Sequence, residues 1–169
     1  MRQAIARYRV PLGFASALAA YWAARPTPAS CLAGGAVALI GEGLRLWASG
    51  HLEKEREVTR SGPYRFVRHP LYLGSAIMGA GFAVAALTWT TAAIVAAYLS
   101  VTLPAAIRTE EAGLDERFGG EYAAYRSGLA TPIARRFSFD RAFVANREAR
   151  SVLGLVGGIG LLWLRMWLS

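Results

Sequence analysis

Apolar residues divide the chain into five apolar segments separated by charged connections. The segments cover residues 10–24, 31–47, the two halves of the block 69–107, and 152–167. The block 69–107 holds 39 residues and no Asp, Glu, Lys or Arg. As one helix it would extend about 58 Å, whereas the hydrocarbon core of a bilayer is about 30 Å thick. The block therefore predicts two membrane crossings, with a turn at the polar and aromatic residues 88–91.

The charged connections predict helices outside the lipid. One helix is predicted over 108–127, because apolar and aromatic residues recur there at spacings of four, four and three (Leu114, Phe118, Tyr122 and Tyr125). Gly119 and Gly120 favour a break in that helix. A second helix, over 138–149, begins at a Ser138 cap and is typical of an amphipathic helix at the membrane interface.

These elements predict an all-α fold: a polytopic membrane helical bundle of four to five transmembrane helices plus cytosolic amphipathic helices. With 169 residues, the chain is expected to form a single domain, 1–169. The last apolar segment, 152–167, is the least certain span because it is short and carries Arg165. The sequence leaves the oligomeric state open.

Composition supports the membrane assignment. Charged residues make up 18% of the chain, against about a quarter in soluble domains. The net charge is +8, which is also compatible with nucleic-acid binding. Here the charges lie between apolar runs, so we expect membrane lipids as partners and no nucleic acid.

The basic residues also predict an orientation. They concentrate before residue 10, in 50–70 and in 108–150, whereas the opposite side carries Arg25 and little else. Because Lys and Arg favour the cytoplasmic side, these three regions are expected to share it. The interpretation is an integral membrane protein of a bacterial cytoplasmic membrane, with its active site facing the cytosol. Segments 50–70 and 108–150 are therefore able to meet.

The densest group of reactive side chains lies in 62–72, between two prolines and just before a predicted span. Tyr64, Arg68 and His69 occur there. Arginine and tyrosine at such a place are typical of an interface anchor, but this density of functional groups also fits a cavity open to the cytosol. Both interpretations remain open from the residues alone.

A second group follows the fourth predicted span, at Arg108, Glu110 and Glu111. Adjacent carboxylates repel each other unless a cation or donor lies near. One of them could bind a pair of ribose hydroxyls while the other pairs with Arg108 or Arg68. The alternative is that the acidic residues only stabilise the first turn of the next helix.

Other polar or small residues have simpler explanations. Glu42 and Arg45, three residues apart, are expected to form an ion pair on one helix. Gly79 and Gly81 more often indicate close helix packing. Cys31 is the one cysteine, so it is expected to be a small buried hydrophobic residue. With two histidines and this one cysteine, we expect no dedicated metal site.

The motif Gly62-Pro63-Tyr64-Arg65-Phe66-Val67-Arg68-His69-Pro70-Leu71-Tyr72-Leu73-Gly74 resembles the signature of the isoprenylcysteine carboxyl methyltransferase family, which is related to the phospholipid N-methyltransferases. Residues 43–48, the run Arg108-Thr109-Glu110-Glu111 and residues 118–125 are also similar to that family. The resemblance covers about residues 35–133. Residues 134–169 form an extra tail with a possible last membrane helix.

The resemblance implies an S-adenosylmethionine-dependent methyltransferase in the membrane. Its acceptor would be a lipophilic substrate entering from the bilayer, either an isoprenylcysteine-type carboxylate or a lipid amine. It implies catalytic roles for Arg108, Glu111 and His69, with Glu111 or His69 as a possible base. The implied cofactor-binding residues are Tyr64, Arg68, His69, Pro70, Tyr72, Leu73, Glu110, Glu111, Gly79 and Gly81.

The family pattern is not complete. Family members often close with an arginine before Ile-Pro, whereas Ala130-Thr131-Pro132-Ile133 has none at the matching place. Substrate recognition is therefore less well indicated than cofactor binding. Two alternatives remain: an NADPH-dependent membrane reductase of the sterol reductase type, which has a similar Tyr-Arg-x-x-Arg-His-Pro stretch, and a non-catalytic membrane scaffold that binds anionic lipid.

Overall fold

Helices account for the regular structure of the chain. The computed structural model describes residues 2–168, with side chains from residue 11 onward. The α-helices are α1 (Arg2–Ala23), α2 (Pro28–Ser49), α3 (Pro70–Ala86), α4 (Trp89–Phe118), α5 (Gly120–Arg126) and α6 (Ala149–Trp167). A 3₁₀ turn covers Gly62–Arg65 and a π-helical turn covers Asp140–Ala145. Residues 2–168 contain no β-strand, so the predicted all-α class is confirmed.

Three helices are long and apolar enough to cross a membrane: α2, α4 and α6. The shorter α3 is apolar over 17 residues. The predicted turn in the uncharged block is present but lies earlier than residues 88–91: α3 ends at Ala86 and α4 already begins at Trp89. Leu87 adopts a left-handed conformation there (φ 56°), and the Thr88 hydroxyl caps α4 by accepting from the Thr91 amide. The fold is a polytopic helical membrane bundle.

Small residues allow α2 and α3 to pack closely. A Cβ atom added at Gly34 would lie 2.4 Å from the carbonyl oxygen of Gly81, and one added at Gly41 would lie 2.6 Å from that of Gly74. Backbones approach this closely only where side chains are absent. Cys31 is buried in the same core, as expected. This packing fixes the start of α3, and with it the 62–72 motif, relative to α2.

α4 is longer than the sequence indicates. The predicted separate helix over 108–127 is instead continuous with the fourth span as far as Phe118, because no proline lies between Arg108 and Phe118 and the single Gly113 does not interrupt the helix. Its 30 residues extend about 45 Å, so the charged turns from Arg108 onward lie beyond the uncharged stretch that crosses the lipid. The predicted break is confirmed at Gly119, whose φ of 45° suits glycine.

The tail differs from the predicted amphipathic helix over 138–149. A π-helical turn, Asp140–Ala145, stands there, and α6 has already begun at Ala149. The left-handed Arg147 (φ 55°) separates the two. The predicted Ser138 cap is present, because its hydroxyl accepts from the Arg141 amide at 3.3 Å. The predicted helix 152–167 is confirmed within α6, which contacts α2 and α3.

Candidate active site

A cavity of about 970 Å³ lies where the 50–70 segment, the charged end of α4 and the start of the tail meet. Its wall is formed by residues 52–59 and 64–72, by α4 from Thr102 to Phe118, by α5, and by residues 145–150. Five of the predicted site residues line it: Tyr64, Arg68, His69, Tyr72 and Glu110. The cavity therefore lies where the sequence places the candidate chemistry.

The 62–72 motif is held in place by its glycine and prolines. Gly62 has φ 55°, and an added Cβ there would clash with the His51 ring at 2.5 Å. Pro63 lies in the first turn of the 3₁₀ segment, and Pro70 in that of α3, where a missing amide proton is tolerated. This backbone buries Tyr64 at 8% exposure, and burial raises the pKa of its hydroxyl.

The expected meeting of the two candidate segments is confirmed by one hydrogen bond. His69 Nε2 lies 3.0 Å from Glu111 Oε1, and Arg68 Nη1 lies 3.8 Å from the same oxygen. His69 is the residue just before α3, whereas Glu111 projects from the charged end of α4. The hydrogen bond with His69 is the main cause that lowers the pKa of Glu111, with a smaller contribution from Arg68.

α5 closes over the same motif. The Tyr125 hydroxyl donates to the Tyr64 carbonyl oxygen at 2.8 Å, and Arg60 pairs with Glu121 at 2.9 Å. Burial raises the pKa of Tyr125 to about 12, so its hydroxyl stays a donor. Tyr122 is buried beside Glu111, and its own pKa is raised by burial and by that carboxylate.

The other predicted site residues, among them Glu111, lie outside the cavity wall. Pro70 is buried in the first turn of α3, and Leu73 is exposed on that helix. Gly79 faces Leu99 of α4, and Gly81 packs on α2, so their contacts are with helices. Arg108 is exposed and forms no ion pair within the described part of the chain. Their roles at a cofactor or in catalysis stay predictions.

Glu42, Arg45 and Glu148 form a polar network, and Arg45 and Glu148 line the cavity. Only the pair of Glu42 with Arg45 was predicted. The expected Glu42–Arg45 pair is present at 3.7 Å, but Arg45 Nη2 lies closer to Glu148 Oε1, at 2.8 Å. Ser49 and Ser151 join this network by hydrogen bonds to Glu148 and Glu42. The sequence signal at Glu148 is weak: one acidic residue among arginines, directly before an apolar helix.

His51 lies in the loop after α2 and is buried there. Its Nδ1 lies 3.2 Å from the Ser61 hydroxyl, and its ring packs edge-on against Phe137. Burial lowers the pKa of His51, and Arg141 and Arg135 lower it further. The His51 ring thus lies against Gly62 on one side and against Phe137 of the tail on the other, so it connects the tail to the motif.

Comparison with known families agrees with this geometry. The phospholipid methyltransferase family model matches residues 36–121, just over half of the chain. The matched region runs from within α2 to the first residues of α5 and contains both His69 and Glu111. No curated protein and no solved structure gives a significant match. Since a family model that covers this share of the sequence also spans the paired segments at the cavity, the chain belongs to the phospholipid methyltransferase family.

Proposed function

We propose that this protein is an S-adenosylmethionine-dependent methyltransferase acting on a lipophilic acceptor from the bilayer, either an isoprenylcysteine-type carboxylate or a lipid amine. The observation that carries the proposal is the His69–Glu111 pair at the cavity, within the family-matched residues. Membership of the family already indicates a membrane methyltransferase. The identities of the donor and of the acceptor are what the proposal adds.

The cavity suits the proposed cofactor in size and in chemistry. Its volume of about 970 Å³ is at the upper end for small-molecule pockets. The carboxylate of Glu110, exposed on the wall, is placed to accept hydrogen bonds from ribose hydroxyls. Arg68, also on the wall, suits a carboxylate such as that of a methionine moiety. Tyr64 and Tyr72 supply ring surface for a base.

Residues of this chain would orient the acceptor and take up the proton that it loses. When bound, S-adenosylmethionine supplies an electrophilic methyl group on a sulfonium. Positioning of the acceptor in line with the methyl–sulfur bond accounts for much of the acceleration in such displacements. His69, hydrogen-bonded to Glu111, is the group on the wall suited to take a proton from the acceptor. α5, tied to Tyr64 through Tyr125, would keep water out.

The proposed location is the cytoplasmic membrane of a bacterium, with the cavity on the cytosolic side. Its support is the arginine distribution, because the basic connections 50–70 and 108–150 both border the cavity end of the helices. α2 meets the cavity at Arg45 and Ser49, α3 at its first residues Leu71 and Tyr72, and α4 at its charged end. A lipid acceptor could thus reach it with its head group while its chain stays in the bilayer.

The test is donor binding followed by methyl transfer. Calorimetry on detergent-purified protein should show binding of S-adenosylmethionine and none of NADPH. Incubation of lipid extracts with the labelled donor should then label a lipid, and His69→Ala should slow the transfer by about 100-fold or more. Absence of donor binding would reject the proposal, and binding of NADPH in its place would support a reductase.

Two arginines of equal exposure provide a matched control for the cofactor site. The Arg68 side chain is 51% exposed and lines the cavity, whereas Arg126 is 49% exposed and does not. Arg68→Ala should weaken donor binding by about tenfold, the usual effect of losing a charge-assisted hydrogen bond. Arg126→Ala should leave donor binding unchanged. Equal effects from the two variants would argue against a cofactor carboxylate at Arg68.

A further inference from the structure

Residues 53–59 form a loop that covers one side of the cavity. The Glu53 amide donates to the Thr59 hydroxyl at 3.1 Å, so the two ends of the loop meet at a narrow neck. Residues 53–59 contain no helix, and all of them except Arg56 line the cavity. The loop is therefore a part of the cavity wall without regular structure of its own.

The tail holds the start of this loop. The Asn146 side-chain amide donates to the carbonyl oxygens of Ser49 and Leu52, at 2.9 and 3.0 Å. Arg141 Nη1 lies 3.3 Å from Glu53 Oε1 and donates a hydrogen bond to it. All three contacts are partly buried. They fix the residues that lead from α2 into the loop.

The tail also holds the end of the loop. Arg135 contacts the Glu57 carboxylate with two nitrogens, at 2.6 Å from Oε1 and 3.0 Å from Oε2. Such bidentate pairs are among the stronger ion pairs. Val58 and Thr59, which follow, are buried. The loop is thus fixed on the tail side at both of its ends.

One exposed ion pair connects the tip of the loop to α4. Arg117 Nη1 lies 3.3 Å from Glu55 Oε2, and the two side chains are 52% and 67% exposed. Both residues line the cavity, so their contact lies on its rim. In the described part of the chain, no other ion pair joins residues 53–59 to α4. Exposed pairs of this kind contribute little and are screened by salt. The tip is therefore the weakly held side of the loop.

The backbone at Glu55 is unusual for a glutamate. Its φ of 64° lies in the left-handed region, which residues other than glycine seldom adopt. Glycine would adopt this conformation at less cost. Because the Glu55 side chain is mostly exposed, what a glutamate adds at this position is its carboxylate, which pairs with Arg117. Non-glycine residues in such conformations cluster at ligand clamps and switch segments. The position thus favours a contact across the rim over an unstrained turn.

The rim contact lies on the aqueous side of the protein. Arg117 belongs to the last turn of α4, beyond the uncharged block 69–107 that crosses the lipid. A polar ligand reaches the cavity from water, because its passage through hydrocarbon is costly. The tip of the loop and the end of α4 therefore border the route that such a ligand takes.

We propose that residues 53–59 form a lid that opens at the Glu55–Arg117 pair and controls the entry of a water-soluble ligand into the cavity. The neck of the loop and its contacts with the tail are the hinge, and the Glu55–Arg117 pair is the latch. Opening moves the tip away from α4 and leaves the contacts with the tail in place. The inference goes beyond the proposed function, because it holds for any polar ligand of this cavity.

Labelling of a thiol inside the cavity tests the lid without any ligand. Ala106 is half-buried on the cavity wall, so Ala106→Cys places a thiol there, whereas the native Cys31 is buried. The full-length protein in neutral detergent is treated with a neutral sugar-linked methanethiosulfonate, which approaches from water, and the labelling rate is followed by mass spectrometry. If Ala106→Cys does not fold, Thr109→Cys on the same wall replaces it.

Breaking the latch should speed this labelling. Added to Ala106→Cys, Arg117→Ala should raise the rate about two- to fivefold, the range that an exposed ion pair supports. Salt at about 1 M, which screens exposed pairs, should raise the rate of Ala106→Cys alone by a similar factor. It should not raise the rate further once Arg117→Ala is present.

Arg126→Ala is the matched control, because Arg126 is 49% exposed and its pair with Asp115, at 3.5 Å, lies outside the cavity wall. It should leave the labelling rate unchanged. Glu55→Gln removes the other half of the latch and should act as Arg117→Ala does, so the double variant should be no faster than either single one. Equal rates in Arg117→Ala and Arg126→Ala would overturn the lid, as would additive effects of Glu55→Gln and Arg117→Ala.

The outcomes separate this inference from the proposed function, because labelling requires no methyl donor. Binding of S-adenosylmethionine together with a labelling rate that ignores the latch would overturn the lid and leave the methyltransferase proposal standing. A labelling rate that depends on the latch, without any binding of S-adenosylmethionine, would support the lid and reject that donor.

Discussion

The carboxylates of Glu111 and Glu148 each pair with a basic side chain that lines the same cavity, but they differ in exposure and in partner. The Glu111 side chain is 26% exposed and is hydrogen-bonded to His69. The Glu148 side chain is 5% exposed and is paired with Arg45. Histidine changes its charge near neutral pH, whereas arginine stays protonated. The first pair therefore contains a side chain of the kind used in acid–base catalysis, whereas the second pairs a carboxylate with a guanidinium.

The two pairs also come from different parts of the chain. Both members of the His69–Glu111 pair lie within the family-matched residues 36–121, whereas Glu148 lies in the tail. The His69–Glu111 pair thus lies in the part of the chain that the family model matches, and Glu148 reaches the same cavity from outside that part.

The largest expected change in stability comes from removing the cation of the buried Arg45–Glu148 pair. Arg45→Met should lower the free energy of unfolding by about 3–5 kcal/mol, because it leaves Glu42 and Glu148 buried without a cation. Thermal and denaturant unfolding of the detergent-solubilised protein, followed by circular dichroism, measures it.

Arg68→Met is the control for this prediction, because it removes the half-exposed arginine that lies 3.8 Å from Glu111. Its expected loss is below about 1 kcal/mol, as for most surface ion pairs. Similar losses of unfolding free energy in Arg45→Met and Arg68→Met would contradict the expectation that the buried ion pair matters more for stability than the half-exposed one.

A smaller loss of stability is expected where α5 is hydrogen-bonded to Tyr64. Tyr125→Phe removes the hydrogen bond to the Tyr64 carbonyl and should cost about 1 kcal/mol of stability. The transfer rate should fall more than donor affinity, because the cover over the site loosens. Tyr98→Phe, outside the cavity wall, is the control. Stability and single-turnover rate are measured together; an unchanged rate would show that α5 does not close the site.

The smallest effect is a pH dependence that comes from Glu111. Its folded-state pKa lies below the usual value of 4.5, mainly because of the hydrogen bond with His69. The stability that it contributes is therefore fully present above pH 4.5 and is lost as the pH falls toward the lower folded-state pKa. Glu111→Gln should flatten this part of the profile. Melting temperatures taken from neutral pH downward measure it; identical profiles would show that the pair is not formed.

The sequence predicted much of the fold because apolar periodicity is local. The five apolar segments, the turn before Trp89 and the break at Gly119 follow from residue types within a few positions of each other. The continuous α4 was missed, because the change from apolar to charged residues at 108 indicates where lipid ends and not where a helix ends. The tail was harder still, since a left-handed Arg147 has no sequence signature.

The sequence by itself indicated the membrane bundle and the meeting of segments 62–72 and 108–111, because apolar length, charge distribution and two recognisable motifs were enough. It expected a glutamate there to pair with Arg108 or Arg68, and the hydrogen bond between His69 and Glu111 came from the structure. Only the tertiary structure decided which carboxylates share a cavity. Ser49 and Glu148 are 99 residues apart in the chain, and they meet because α6 contacts α2. Such a contact depends on the packing of whole helices, which local residue patterns do not specify.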